Sequence, residues 1–362
     1  MFYTLSNRLL KDIGMSEDRR KKIIRLKDIA ERAGVSIATA SRVINNSGIV
    51  SKEIKRKVLG VIEELGYHPN AIARSLATKK TGNIGVLISK TLNPLPLDPF
   101  YSVIFQSIEN TFKEEGYSTV FSTISNHKDD YKFKIFSENR VDGFILLGCE
   151  IEEKLISFLK EKNFPTVLVD NHIDEIKMNT VVIDNEQGAK ELVEYLINLG
   201  HTKIGYICER LDNLSFYERF LGYKRALEKY NIEYKPKLIQ EGGRGAQGGY
   251  VAMTKLLDES EIPTAVFAGN DTTAIGAMKA IVERGLRVPD DISLAGFDGL
   301  EIYSHIHPSL TTVKVYRKEM GEIAARLLLK TMKNPEYPSL KCVVSTSLIR
   351  GESTIEPRKV EY

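Results

Sequence analysis

Residues 26–45, LKDIAERAGVSIATASRVIN, read as two short helices joined by a tight turn. Leu26, Ile29, Ala30 and Ala33 recur at i, i+3, i+4 and i+7, the apolar stripe of a first helix. Gly34 can take the positive φ that ends it, and Ser36 suits the N-cap of the next helix. In that second helix Ala40, Val43 and Ile44 point one way while Ala38, Arg42 and Asn45 point the other, so one face packs and the other stays available. A third helix begins at Ser51 and carries Ile54, Val58, Val61, Ile62 and Leu65 on one side before Gly66 stops it. Three such helices can share one core, the helix-turn-helix arrangement whose second helix enters the major groove of DNA. Gly60, inside the third helix, costs about 1 kcal/mol relative to alanine, and the sequence offers no compensating reason.

Any pair of helices with a glycine in its turn shares this pattern, so charge has to weigh in. Residues 19–80 carry 15 lysines and arginines against five aspartates and glutamates, whereas the whole chain carries 51 against 48, which leaves the remainder at net −7. A basic head on a mildly acidic body points to a polyanionic partner for the head alone. The run RRKK at 19–22 either touches phosphates or forms a solvated arm. Residues 1–24 lack an apolar period and are expected to form a mobile extension, with Met15 an alternative start to Met1.

With 362 residues, 42% of them hydrophobic, the chain is long enough for two or three domains. Its longest apolar runs, such as IGVLI at 84–88 and FILLG at 144–148, are too short to cross a bilayer, and no signal-peptide pattern opens the sequence. The expectation is a cytoplasmic protein with no membrane partner. Cys149, Cys208 and Cys342 are odd in number and far apart, which suits small core residues rather than a disulfide framework or a metal cluster.

From Asn83 onward, apolar runs of strand length alternate with segments of helical period. TVLVD (166–170), TVVID (180–184), KIGYI (203–207), KLIQE (237–241), TAVFAG (264–269) and ISLAGFD (292–298) are separated by such helices. This alternation predicts doubly wound α/β layers with parallel sheets, divided into two lobes parting near Asp184. Parallel sheets of this kind bind ligands at the carboxyl ends of their strands, where Asp170, Asp184, Asn270, Asp271 and Asp298 fall. No nucleophile elbow, no zinc-protease helix and no phosphate-binding lysine loop is present, so no catalytic residue, metal site or cofactor is indicated. The glycine-rich run EGGRGAQGGY at 241–250 superficially suggests a phosphate cradle, but it lacks the Lys-Ser/Thr ending and the turn spacing of one.

The run IRLKDIAERAGVSIATASRVIN, continuing through VSKEIKRKVLGVIEELGYHPNAIARSLATKKTGNIGVLI, closely resembles the lac repressor family of bacterial regulators. The likeness extends to about residue 352 through VDGFILLG, TVVIDNEQGA, LGHTKIGYI, ERFLGYKRAL, PTAVFAGND, GLRVPDDISLAGFD, PSLTTV and LIRGEST. It implies a homodimer with a helix-turn-helix domain at 25–68, a hinge helix and linker at 69–81, and a two-lobed core at 82–352 like the periplasmic sugar-binding proteins. A tail at 353–362 would follow. In such a core the chain crosses between lobes three times, and the segment after about Lys314 returns to the first lobe.

By the same likeness, Ile37 and Ala38 occupy the base-reading start of the recognition helix and Arg42 reads a base further along. A guanidinium fork can bond O6 and N7 of guanine together, and Ile37 and Ala38 can offer only apolar contact, as to a thymine methyl. Thr39, Ser41, Asn45 and Ser51 match phosphate-contacting positions and have the donors required. In the hinge, Asn70 belongs to the Pro-Asn start signal, while Ala73 and Leu76 stand where the family inserts side chains into the minor groove. Tyr101, Asp170, Arg219, Asn270 and Asp298 match effector-contacting positions. Arg244 departs from the family, standing where many relatives place an aromatic, and it hints at an acidic or phosphorylated ligand or is an exposed loop arginine. Asn213 stands where the purine repressors have arginine, and the first cleft loop, TLNPLPLDPFY, is longer than usual with three prolines.

The expectation is therefore a sequence-specific transcription regulator, a repressor that grips a pseudo-palindromic operator under the control of a small molecule such as a sugar or sugar derivative. A solute-binding or sugar-active protein on the same core is the alternative, and the lack of an export signal and of a catalytic constellation counts against it.

Overall fold

The computed structural model describes residues 24–44, 48–67, 80–89, 98–124, 140–148, 151–173 and 175–358. The chain divides into two compact units, residues 1–81 and 82–362.

The first unit contains α1 (Leu26–Ala33), α2 (Ile37–Ile44) and α3 (Lys52–Leu65). Gly34 and Gly66 end α1 and α3 in the left-handed conformation, with φ of 62° and 59°, and their amides and the next residue's close the last turn onto helix carbonyls. Ser36 caps α2 by accepting from the Thr39 amide at 3.0 Å, and Ser51 caps α3 by accepting from the Ile54 amide at 3.3 Å. Ile29, Ala33, Val43, Val58 and Val61 form the shared core. Gly60 has no neighbour that an added Cβ would meet, and nothing in the structure explains it.

The second unit is built on two parallel sheets. In the first lobe the order is β11-β5-β4-β3-β1-β2, from β1 (Asn83–Ser89), β2 (Ser118–Ile124), β3 (Gly143–Leu147), β4 (Thr166–Val169), β5 (Asn179–Ile183) and, much later in the chain, β11 (Lys341–Val344). Every residue of β3, β4 and β5 is buried, as expected of parallel strands covered on both faces. The covering helices include α4 (Tyr101–Glu114) and α5 (Glu153–Glu161).

In the second lobe the order is β7-β6-β8-β9, from β6 (Ile204–Cys208), β7 (Ile239–Glu241), β8 (Ala265–Ala268) and β9 (Ser293–Ala295). Its helices are α6 (Asn185–Asn198), α7 (Leu214–Lys229), α8 (Gly245–Leu257) and α9 (Asp271–Glu283). The chain passes from the first lobe to the second between β5 and α6. It returns after β10 (Thr312–Lys314), when α10 (Arg317–Lys333) packs on α4 and the first sheet, and crosses a third time from β11 into β12 (Ser347–Ile349), which pairs with β10. Ser107 Oγ donates to the Lys318 carbonyl at 2.7 Å and fixes α10 against α4.

Residues 353–358 run beside β9. The Leu294 amide donates to the Ser353 carbonyl at 2.8 Å, and buried His201 bonds Thr264 Oγ1 and the Ile355 carbonyl at 2.9 and 2.8 Å. Burial pushes the His201 imidazole below its ordinary pKa, so it serves here as a structural clip. The extension at 1–23, Asn45, the hinge residues Asn70, Ala73 and Leu76, Cys149 and most of the first cleft loop lie outside the described residues.

Candidate functional site

Two surfaces carry the chemistry, one in each unit. On α2, Ala40 and Val43 are buried, while Ile37 (50% exposed), Ala38 and Arg42 are open to solvent. The helix thus presents a guanidinium and two apolar side chains on the face away from its core. Ser51 uses its oxygen lone pair on the Ile54 amide, which leaves its hydroxyl proton as a donor; Thr39 shares its hydroxyl with Ser36 at 2.9 Å.

In the second unit a cavity of about 510 Å³ opens between the lobes, at the carboxyl ends of both sets of strands. All six effector positions expected from the sequence line it: Tyr101, Asp170, Arg219, Arg244, Asn270 and Asp298. Tyr101 opens α4, Asp170 follows β4, Asn270 caps α9 after β8, and Asp298 follows β9. Asp170 and Asp298 both hold positive φ, 56° and 115°, which is backbone strain of the kind that clusters at ligand sites.

Arg219, 4% exposed, is the centre of the polar floor. Its Nε donates to Asn185 Oδ1 at 2.9 Å and its Nη1 to the Gly269 carbonyl at 2.6 Å, while its Nη2 lies 3.2 Å from Asp298 Oδ1. The guanidinium also stacks 3.9 Å from the Phe297 ring centroid. The contact with Asp298 is an ion pair without hydrogen-bond alignment, so Asp298 Oδ1 is buried with no donor of its own. Burial pushes the Asp298 carboxyl well above the usual range, opposed chiefly by Arg219.

Asp170 joins the two lobes. Tyr101 Oη donates to its Oδ2 at 2.6 Å from the first lobe and Ser215 Oγ to its Oδ1 at 3.3 Å from the second. Burial raises its pKa from the usual 3.8 to about 6, against the opposing pull of Tyr101 and Arg219. A carboxyl whose pKa is higher in the folded state binds its proton more readily there. Stability therefore falls as pH rises from about 3.8 to about 6, and the full penalty is present above that. Asp170→Asn is expected to gain stability over the parent at pH 7–8, with the gain vanishing toward pH 4, as read by urea unfolding over a pH series. A variant less stable than the parent at pH 8 would overturn this.

Asp271, fully buried, shapes the loop that presents Asp298. Thr312 Oγ1 donates to its Oδ1 at 2.5 Å and the Leu300 amide to its Oδ2 at 2.7 Å, while burial pushes its pKa up to about 7. Glu209, the first residue after β6, also lines the cleft, and the sequence reading passed over it. Its Oε1 accepts from the Gly245 amide at 3.1 Å and from Asn270 Nδ2 at 3.4 Å. A β6 end placed one residue later would have added it to the polar residues that follow strands.

The glycine-rich run is a helix-packing device. A Cβ on Gly249 would overlap the Thr273 carbonyl and one on Gly276 the Ala246 carbonyl, so α8 and α9 touch backbone to backbone. The Gly245 amide at the start of α8 donates to Glu209 Oε1.

Residues 25–70 match the model of bacterial regulatory proteins of the lacI family, and residues 193–354 match a periplasmic binding protein-like domain. Catabolite control protein A of Priestia megaterium is 34% identical over 92% of this chain and 97% of its own length. The transcriptional repressor PurR of Aliivibrio salmonicida is 33% identical over 86% of this chain and 93% of its own. Among solved structures, the lac repressor dimer bound to operator and an anti-inducer superposes with a TM-score of 0.80 at 31% identity, covering 92% of this chain and all of that one. A complex of the transcriptional regulator CelR with cellobiose gives 0.70 at 30%, covering 91% and 99%. Shared over almost its whole length with these regulators, the chain belongs to the lacI family of DNA-binding transcription regulators.

Proposed function

We propose that the protein is a homodimeric repressor, acting in the cytoplasm, whose hold on a pseudo-palindromic operator is set by a small molecule in the inter-lobe cleft. The observation that carries the reading is the solvent-facing side of α2, where Ile37, Ala38 and Arg42 stand opposite a buried Ala40 and Val43. In this reading Arg42 forks onto a guanine, Ile37 and Ala38 set the neighbouring preference, and Thr39, Ser41, Asn45 and Ser51 hold phosphates. In the same reading Asn70, Ala73 and Leu76, which lie outside the described residues, act at the operator's centre, with Leu76 wedging the minor groove. The protein acts by binding, with no catalytic step.

Tyr101, Asp170, Arg219, Asn270 and Asp298 contact the effector, with Arg244 at the rim. Because Asp170 is bonded from both lobes, a ligand that engages it senses how the lobes are arranged. Only an effector with different affinities for two lobe arrangements can shift DNA binding.

Selection from random duplexes, followed by gel shifts, tests the function directly. A palindromic consensus is expected, with affinity falling about 10³- to 10⁵-fold between 50 and 200 mM salt if six to ten phosphates are held. Arg42→Ala should cost about 1–3 kcal/mol at one base pair of each half-site and leave the salt slope nearly unchanged. A uniform loss across all sequences would instead make Arg42 a phosphate contact, and the absence of any selected consensus would sink the repressor reading.

A further inference from the structure

At the second crossing between the lobes a side chain reaches back over the gap. Val315 still belongs to the second lobe, where its amide donates to the Asp298 carbonyl at 3.3 Å, and two residues later α10 begins on the first lobe at Arg317. The Arg317 guanidinium then forks. Its Nη1 donates to the Pro99 carbonyl of the first lobe at 3.0 Å, and its Nη2 donates to the Gly299 carbonyl of the second at 3.1 Å. Pro99 lines the cleft, and Gly299 lies between Asp298 and Leu300, which both line it, whereas Arg317 is not among the lining residues.

We propose that Arg317 is a latch that holds the lobes in the arrangement seen here and thereby sets effector and operator affinity without touching either ligand. This rests on the reading above that lobe arrangement governs DNA binding, and it names the residue that weights one arrangement over the other.

Neither end of the latch can follow the other when the lobes move. Arg317 is fixed to the first lobe through α10, whose Lys318 carbonyl accepts from Ser107 Oγ at 2.7 Å. Gly321 on the same helix lies so near α4 that a Cβ there would come within 2.6 Å of the Ile104 carbonyl. Gly299 is fixed to the second lobe: its amide donates to Thr312 Oγ1 at 3.3 Å, and a Cβ on it would come within 2.8 Å of the Lys314 Cα. The Leu300 amide beside it is held by Asp271. A side-chain hydrogen bond is lost by about 3.6 Å, so a shift of about half an ångström at Gly299 opens the latch. Both acceptors are main-chain carbonyls, so no side chain other than Arg317 makes this contact. The effector reaches it through its neighbours: Asp298 precedes Gly299 and Tyr101 follows Pro99 by two residues, and a ligand that draws on either moves an acceptor of the fork.

The test reads the lobes directly. Nitroxides are placed at Lys160→Cys on α5 and Glu228→Cys on α7, both exposed, in a full chain carrying Cys149→Ala and Cys342→Ala; Cys208 is fully buried and stays. Labelled protein is mixed with excess unlabelled protein so that no dimer carries two labelled chains, and pulsed electron resonance measures the distance between the lobes. Arg317→Met is expected to raise the share of a second separation about tenfold, the lower end for a hydrogen bond from a charged donor. Arg317→Lys, which keeps the charge but lacks the planar fork, should do the same. On the operator selected by the parent protein, both variants should change affinity about tenfold with the consensus and the salt slope unaltered, as expected of a shifted equilibrium rather than a damaged head. Circular dichroism and stoichiometric DNA titration establish the folded, active fraction. Distances and operator affinity that match the parent's in Arg317→Met, or an Arg317→Lys protein that behaves as the parent, overturn the proposal. A parent that selects no operator defeats the repressor reading, while the interlobe distances still decide whether Arg317 holds the lobes.

Discussion

Arg219→Met is expected to destabilise the core unit by about 3–5 kcal/mol and to abolish the response of DNA binding to any effector. Methionine keeps much of the length and can still lie against Phe297, so the loss isolates the guanidinium rather than a cavity. What disappears is a buried cation facing Asp298 at 3.2 Å and opposing the burial penalty of Asp170 and Asp271 as well. Removing one member of a buried ion pair leaves the other charge without compensation, which costs far more than the pair contributes against a fully apolar replacement. The carboxyls should respond by holding their protons to higher pH, so the variant's deficit is largest above pH 7 and shrinks as they protonate.

Two structural links go with the charge. Nε ties down Asn185, where the chain enters the second lobe, and Nη1 ties down Gly269, just before the Asn270 cap. Urea unfolding of the full chain, followed by a signal from the core, measures the loss. Adding Asp298→Asn to Arg219→Met should restore a substantial part, because the two residues are coupled. A single variant within 1 kcal/mol of the parent would mean that the cluster tolerates an unpaired carboxylate, and the account of the cleft floor would fail.

The sequence made some of this site legible and hid the rest for physical reasons. Each half of the core repeats the same logic, a buried strand followed at once by a polar residue. Asp170, Asn270 and Asp298, which line the cavity, and Asp271, which braces Leu300, were therefore visible as candidates from apolar runs alone, whereas Asp184, singled out by the same rule, caps α6 through the Gln187 amide and is not among the cavity's lining residues. The α2 face was legible because helical period separates Ala40 and Val43 from Ala38 and Arg42 without reference to any other segment. Glu209 escaped because strand ends read from sequence are uncertain by a residue or more, and a single step moves it from strand to site. Asp98 escaped for another reason: nothing in TLNPLPLDPFY says that its carboxylate caps the turn into α4 beside a cavity closed by residues more than a hundred positions away. The roles of Asn185 and Ser215 are likewise long-range, since each matters through what Arg219 or Asp170 does with it.

The run EGGRGAQGGY shows how composition can mislead and what replaces the first reading. Glycines admit close approach of any backbone, to a phosphate or to another helix, and only the fold decides which. Here the partner is α9, and Gly276→Ala is expected to cost about 3 kcal/mol or more, the upper end for overpacking. An alanine methyl at 276 would overlap the Ala246 carbonyl and lie 2.7 Å from the Tyr250 amide. Both obstacles are main chain, with no rotamer to change, so relief requires α8 and α9 to separate along their contact. Separation also moves function: α8 starts at the Arg244 rim and holds Glu209 through Gly245, while α9 starts at the Asn270 cap and carries the Asp271 that braces Leu300. The same variant should therefore weaken effector affinity even in the fraction that stays folded, whereas DNA selectivity, which the proposed function assigns to α2, should persist in the absence of effector. Thermal unfolding paired with calorimetry reads both effects. A Gly276→Ala protein with parental stability would show that the two helices can part without cost, and the close contact would then not be what this glycine run maintains.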